Sequence, residues 1–236
     1  MSQLSSLSAQ LRAHATPEKA QASQRFFKTG PGQYGEGDVF IGVTVPEQRK
    51  VAKQFGGMPL VEVESLLHSR IHEERLTALL ILVGQFKRGN ETQQKAIYDL
   101  YLANAAYVNN WDLVDSSASY IVGAYLHHRD RSVLSELARS DHLWERRIAI
   151  IATAYFIARG ESKDTFAIAD ILLADSHDLI HKAVGWMLRE VGKSCGQEIE
   201  EEYLRRHYKT MPRTMLRYAI ERFDEELRKQ YLRGGL

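Results

Sequence analysis

The stretch Asn110-Trp111-Asp112-Leu113-Val114-Asp115-Ser116-Ser117 sets an indole and a carboxylate four residues apart. On a helix, Trp111 and Asp115 share a face, because side chains at i and i+4 lie one above the other. The face of an indole and the charge of a carboxylate both stabilise a cation. The pair is therefore a candidate for chemistry in which positive charge must be held.

Three further segments carry polar side chains where a packing helix should be apolar. In Leu143-Trp144-Glu145-Arg146-Arg147-Ile148, Arg147 follows Trp144 by three and precedes Ile151 by four, which puts it on or beside the apolar stripe. Lys182, Trp186 and Arg189 fall at i, i+4 and i+7, along one helical face. Arg213 and Arg217 stack at i, i+4. If the helices stack in a row, these faces line one groove holding basic side chains, two indoles and one carboxylate. Each element also has a structural explanation. Trp111 and Trp186 could be core, Asp115 could cap a helix starting near Ser116, and Asp112 could cap its own segment. Arg147 could pair with a buried acid, and Arg213 and Arg217 could be a solvated face.

Other chemistries lack their residues. His127 and His128 are adjacent and diverge on a helix, and the sequence has no His-Glu-x-x-His, Walker, dinucleotide or Gly-x-Ser-x-Gly pattern. Ser116 and Ser117 have no histidine nearby in sequence. The acidic run Glu198, Glu200, Glu201 and Glu202 reads as a solvated helix face. Thr29 to Asp38 is rich in glycine but has no phosphate-loop ending, and reads as a flexible connector, with contact to substrate as the alternative. The single cysteine, Cys195, sits near a helix end as a semi-buried spacer and excludes an intrachain disulfide.

Helical periodicity runs almost throughout. The sequence predicts helices over roughly 4–14, 17–28, 46–55, 59–69, 72–88, 91–107, 110–127, 131–139, 142–159, 163–174, 177–194, 197–207, 212–222 and 224–232. Pro17, Pro46, Pro59 and Pro212 read as first-turn residues, where a missing N–H costs nothing. No strand is expected. Asp38 to Val43 is the one candidate and reads better as an extended loop. From about residue 59 the helices pair off through short connections at the spacing of helical repeats. The expected fold is all-α: a single domain over 1–236, a curved α-solenoid of HEAT-like repeats with a concave basic groove, with a compact helical bundle as the alternative. Helices within 1–56 would cap the repeats of 59–236.

Formal charge is +1, so overall charge points to no partner, and only local clustering can. The most apolar stretch, Leu76 to Phe86, is too short to span a bilayer. Met1 to Ala15 lacks the apolar core of a secretory signal. The expectation is a cytoplasmic protein, placed in the nucleoid region if the cell is prokaryotic.

The sequence resembles the AlkD-type DNA alkylation repair family, DNA glycosylases built from HEAT-like repeats. The resemblance runs from Phe40-Ile41-Gly42-Val43 and Val45-Pro46-Glu47-Gln48-Arg49 through Trp111-Asp112-Leu113-Val114-Asp115 and Trp144-Glu145-Arg146-Arg147. It is closest at Lys182-Ala183-Val184-Gly185-Trp186-Met187-Leu188-Arg189-Glu190. It implies excision of cationic 3-methyladenine- and 7-methylguanine-type bases from duplex DNA by a monofunctional N-glycosylase. Asp115 matches the family's catalytic aspartate. Trp111 and Trp186 match tryptophans at the damaged nucleotide's sugar, Arg147 an arginine on backbone phosphate, and Arg189 a basic residue of the groove. The aromatic of the second helix, which can be a tyrosine in the family, stands here as Phe26 or its neighbour Phe27. Lys182, Arg213 and Arg217 complete the expected DNA contacts. Alkylated double-stranded DNA is the expected partner of a monomer that uses no metal, cofactor or membrane. A non-catalytic DNA-binding repeat and a protein-interaction scaffold are the alternatives. The first needs no carboxylate at Asp115, and for the second the near-neutral charge is no obstacle.

Overall fold

The structure is a computed structural model that describes residues 2–235. The chain forms two compact units, Met1–Ile121 and Val122–Leu236. Both are helical. Among the described residues the only bridge of β type is isolated, between Val39 and Ile71. The all-α class of stacked helices expected from the sequence is the one found.

The first unit contains α1 (Gln3–Ala13), α2 (Pro17–Phe26), α3 (Val45–Gln54), α4 (Leu60–Leu67), α5 (His72–Arg88), α6 (Glu91–Ala103) and α7 (Trp111–Asp115). α5 is its centre, with α3, α4, α6 and α7 packed around it. Leu76, Leu79, Ile81 and Leu82 of α5 are all but inaccessible, as are Leu113 and Val114 of α7. The polar first turn of α5 is buried as well: His72, Glu73, Glu74 and Arg75 all lie inside. Glu73 explains how the preceding loop is held. Its carboxylate accepts the backbone N–H groups of Ile41 at 3.1 Å, Gly42 at 2.8 Å and Val43 at 3.3 Å. A charged acceptor on three orphan donors is a strong anchor for backbone that joins no sheet.

The second unit contains α8 (Ala124–Leu126), α9 (Ser132–Ala138), α10 (Leu143–Ala152), α11 (Ala154–Ile157), α12 (Lys163–Leu172), α13 (Asp178–Ser194), α14 (Gln197–His207), α15 (Arg213–Ala219) and α16 (Glu225–Arg233). α13 is central here, packed on α10, α12, α14 and α15. One face of α13 buries Ile180, Ala183, Val184, Met187, Leu188 and Val191. Gly185 lets α15 approach closely: a Cβ there would stand 2.3 Å from the Met215 carbonyl oxygen and 2.6 Å from the Tyr218 Cβ. Gly185→Ala therefore forces the two helices apart. A loss of about 1–3 kcal/mol is expected, read as a lower melting temperature, and an unchanged melt would show that α15 yields freely.

Several expectations need correction, among them the helix over 142–159, which splits at Thr153 into α10 and α11. The helix expected over 110–127 is broken. α7 ends at Asp115, a π-helical turn covers Ser119–Gly123, and α8 follows. Ser117 gives the reason: its buried hydroxyl bonds back to the Leu113 carbonyl at 2.6 Å and meets the Tyr101 hydroxyl at 2.9 Å, a pattern that bends helices. Pro59 and Pro212 occupy the N-cap, one position before the first turn, whereas Pro17 and Pro46 lie inside it. Glu200 is no part of a solvated face. It is 2% exposed, packed against Gly192 of α13.

Candidate active site and nucleic-acid interface

Asn110 starts α7. Its side-chain oxygen accepts the Trp111 N–H at 2.8 Å, so the helix begins with the indole and ends with Asp115. Both side chains are half-buried on the five-residue segment, while Leu113 and Val114 face the core. Asp115 is the last residue of α7, and no helix starts at Ser116. The Asp115 carboxylate lies near the buried Tyr101 phenol. Burial pushes that phenol's pKa up, the Ser117 hydrogen bond opposes this, and the Asp115 charge adds to it.

The indole is fixed on several sides. Phe27 stacks on it at 5.2 Å between ring centroids, Phe26 meets it edge-on at 5.8 Å, and its Nε1–H donates to the Tyr34 hydroxyl at 3.3 Å. Both candidate aromatics of the second helix therefore contribute. Phe26 is 65% exposed, whereas Phe27 continues the stack inward onto Phe40 at 5.0 Å. Tyr34, which nothing in the sequence singled out, stands beside Phe26 and donates its hydroxyl to the Phe26 carbonyl at 3.5 Å. Its segment, expected to be a flexible connector, folds into successive turns. The Gly35 N–H reaches the Lys28 carbonyl at 3.3 Å and the Gly32 N–H reaches the Glu36 carboxylate at 2.8 Å.

Below this wall lies a buried polar row. The Arg75 guanidinium bonds Asp38 at 2.5 Å. Asp38 meets His72 Nδ1 at 2.9 Å, and His72 Nε2 meets Asp112 at 2.8 Å. Asn110 donates to Asp38 at 3.2 Å. Asp112 thus uses one oxygen on His72 and the other on the Leu113 N–H at 2.9 Å. Nothing in the sequence marks this set except a polar first turn on an otherwise apolar helix.

In the second unit, Lys182, Trp186 and Arg189 are half-buried on the face of α13 opposite its core residues. Lys182 pairs with Asp178 at 2.7 Å. Arg189 pairs with Glu221 and with Glu190. Arg147 of α10 is 4% exposed, and its Nη1 donates to the Leu179 carbonyl at 2.6 Å. Trp144 is core, as its stripe required. Arg213 and Arg217 of α15 are exposed, Arg213 donating to the Leu232 carbonyl at 2.9 Å. The first unit adds cations that the sequence reading missed: Arg49, Lys53, Lys87 and Arg88 line a cleft of about 370 Å³ between α3 and α5, with no acidic residue in its lining. Cys195 caps α13, and burial raises its thiol pKa, which disfavours a reactive thiolate. Among the described residues no group of three or more His, Cys, Asp or Glu is placed to hold a metal ion, and no helix is long and apolar enough to cross a membrane.

The profile of the family described as "DNA alkylation repair enzyme" matches residues 7–223. The chain belongs to that family. As a DNA alkylation repair enzyme it acts in the repair of alkylated DNA. This repair enzyme also shares its fold with a solved structure titled "Predicted DNA alkylation repair enzyme from Enterococcus faecalis". The two are 17% identical, with a TM-score of 0.72 over 90% of this chain and 98% of that one. No curated protein matches the sequence of this repair enzyme.

Proposed function

We propose that the protein is a DNA glycosylase that excises cationic N3- and N7-alkylated purines from duplex DNA. The observation that carries this reading is the Trp111–Asp115 face, a half-buried carboxylate one helical turn from an indole that three aromatic neighbours hold still. An alkylated purine already bears positive charge and departs as a neutral base, so its departure needs no strong general acid. The demand falls on the deoxyribose, which becomes oxocarbenium-like as the bond breaks. A fixed carboxylate meets that charge, as in glycoside hydrolysis. At about 4 Å and an effective dielectric near 20 the attraction is roughly 4 kcal/mol. The Trp111 indole adds about 0.5–2 kcal/mol of cation–π stabilisation and excludes water.

Binding would rest on cations reaching phosphates. Lys182, Arg189, Arg213 and Arg217 are the proposed contacts of the second unit, with Arg147 fixed by its bond to the Leu179 carbonyl. The Arg189–Glu221 pair involves a side chain that is 57% exposed on the Glu221 side, and such pairs contribute little, so a phosphate can replace it. Affinity is expected to fall steeply with salt and to show little sequence preference. A titration of unmodified duplex at several salt concentrations checks this, and a flat salt response would remove the proposed cations.

The decisive assay incubates the protein with methylated duplex DNA and separates released bases by chromatography. Free 3-methyladenine and 7-methylguanine are expected. Uracil in a duplex should stay in place, because it must leave as an anion and an ionised Asp115 has no proton to give it. Binding of methylated DNA with no base released would reduce the protein to a non-catalytic binder.

A further inference from the structure

The buried row beneath Trp111 joins three separate segments. Asp38 comes from the loop before α3, His72 and Arg75 from the first turn of α5, and Asp112 from α7. Along the row, Arg75, Asp38, His72 and Asp112 alternate in charge and sum to zero when all are ionised. Each ring nitrogen of His72 faces a carboxylate oxygen, at 2.9 and 2.8 Å. A neutral imidazole has one donor and one acceptor nitrogen, so one carboxylate would confront a lone pair. Two carboxylate partners call for two N–H donors, which only the imidazolium supplies.

The ring is also tied to Trp111 through aromatic contacts. Phe40 stacks on His72 at 4.4 Å and Phe27 lies against it at 5.0 Å. The same Phe27 stacks on the Trp111 indole. His72 therefore reaches α7 twice, through Asp112 by charge and through Phe27 by packing. α7 has five residues, too few to be stable or to hold a direction alone. Asp112 also precedes Asp115 by three, so the two carboxylates are near neighbours on the helix surface.

We propose that His72 is a positioning residue for base excision: clamped as an imidazolium between Asp38 and Asp112, it fixes the short helix that carries Trp111 and Asp115 and neutralises the charge of Asp112 beside Asp115. This rests on the glycosylase reading. Burial alone pulls the ring's pKa down, but the Asp112 charge and the hydrogen bonds to Asp112 and Asp38 outweigh burial and the repulsion from Arg75, so the value stands above the ordinary 6.5. Asp38 responds in the opposite sense. Burial raises its pKa, and His72, Arg75 and Asn110 together hold it below the ordinary 3.8. A raised folded-state value means that the clamp's contribution is complete below about pH 6.5 and is lost as pH climbs through the raised value.

The test measures single-turnover release of 7-methylguanine from duplex DNA across pH, with DNA affinity measured in parallel. His72→Gln should release base about ten- to a hundred-fold more slowly near neutral pH, with affinity for DNA within about threefold, since misplacing a catalytic group costs rate before binding. The wild-type alkaline decline due to the clamp should be absent in the variant. Asp112→Asn removes the charge facing His72 and one of the two acceptor oxygens that Asp112 uses on His72 and the Leu113 N–H, with less change in volume. The double variant should be no slower than the slower single one, as expected for members of one network. If His72→Gln does not fold, Asp112→Asn carries the rate and pH arms alone. A second arm follows the Trp111 indole N–H signal by NMR, identified by its loss in Trp111→Phe. It should shift with pH in the wild type, stay constant in His72→Gln, and shift at a lower pH in Asp112→Asn, where the ring still titrates beside Asp38. Wild-type protein that releases no base yet shows the pH-linked Trp111 shift would refute the glycosylase reading and keep the clamp. Active wild-type protein whose rate, pH profile and Trp111 signal are all untouched by both substitutions would overturn the clamp itself.

Discussion

Asp115→Asn should release alkylated purines on the order of a thousand times more slowly than the wild-type protein while binding duplex DNA at least as well. The substitution keeps the volume of the side chain and removes only its charge. The carboxylate is half-buried at the end of α7, with Leu113 and Val114 rather than Asp115 supplying the packing, so folding should survive. Its proposed attraction for a sugar cation, about 4 kcal/mol, is felt mainly at the transition state, and each 1.4 kcal/mol is tenfold in rate. Binding should improve slightly, because a negative charge facing phosphates is lost. The two quantities thus move in opposite directions, which general damage to the fold would not produce. Single-turnover release measured beside fluorescence-anisotropy binding separates them. Equal release by the two proteins would take Asp115 out of the mechanism, and a parallel loss of binding and release would point to structural collapse of α7.

The sequence made the helices legible because apolar periodicity survives wherever a helix has one buried face. The expectations over 72–88 and 197–207 coincide with α5 and α14. It also placed Trp111 and Asp115 on one face, which holds although their helix is a fragment. What it could not reveal was polar burial. The first turn of α5 carries Glu73 and Glu74, and acidic residues there are the ordinary complement of a helix dipole. Only the fold shows that Glu73 holds the 41–43 backbone and that His72 and Arg75 pair with Asp38, 34 and 37 residues away. Tyr34 escaped for a related reason. Its approach to Trp111 spans 77 residues and is made from a segment whose glycines suggested no structure. Arg147 illustrates the limit of periodicity. Its position on the apolar stripe foretold burial, but only the fold shows the Leu179 carbonyl that its guanidinium meets.

Glu200 belongs to a run whose sequence has the look of an acidic surface, and its burial leads to the second large effect. The side chain is 2% exposed, and its Oε1 has no hydrogen-bond partner among the described residues. Burial pushes its pKa up to about 8, the neighbouring Glu201 charge adds to this, and Arg189 opposes it. The folded protein therefore holds a proton on Glu200 that the unfolded chain gives up near 4.5. Stability from this group is complete below the unfolded value and declines as pH rises, levelling off only above about 8. Ionising such a buried carboxyl costs the folded state on the order of a few kcal/mol. Glu200→Gln keeps the shape and cannot ionise. It should melt close to the wild type near pH 5 and roughly 5–10 °C higher near pH 9. His72 in the first unit also loses its contribution as pH rises, so the wild-type curve alone cannot assign the slope. The difference between the Glu200→Gln and wild-type melting curves can, because His72 is common to both. Calorimetric melts that stay parallel across the range would mean that α14 opens enough to hydrate Glu200, and that its carboxylate is tolerated where it stands.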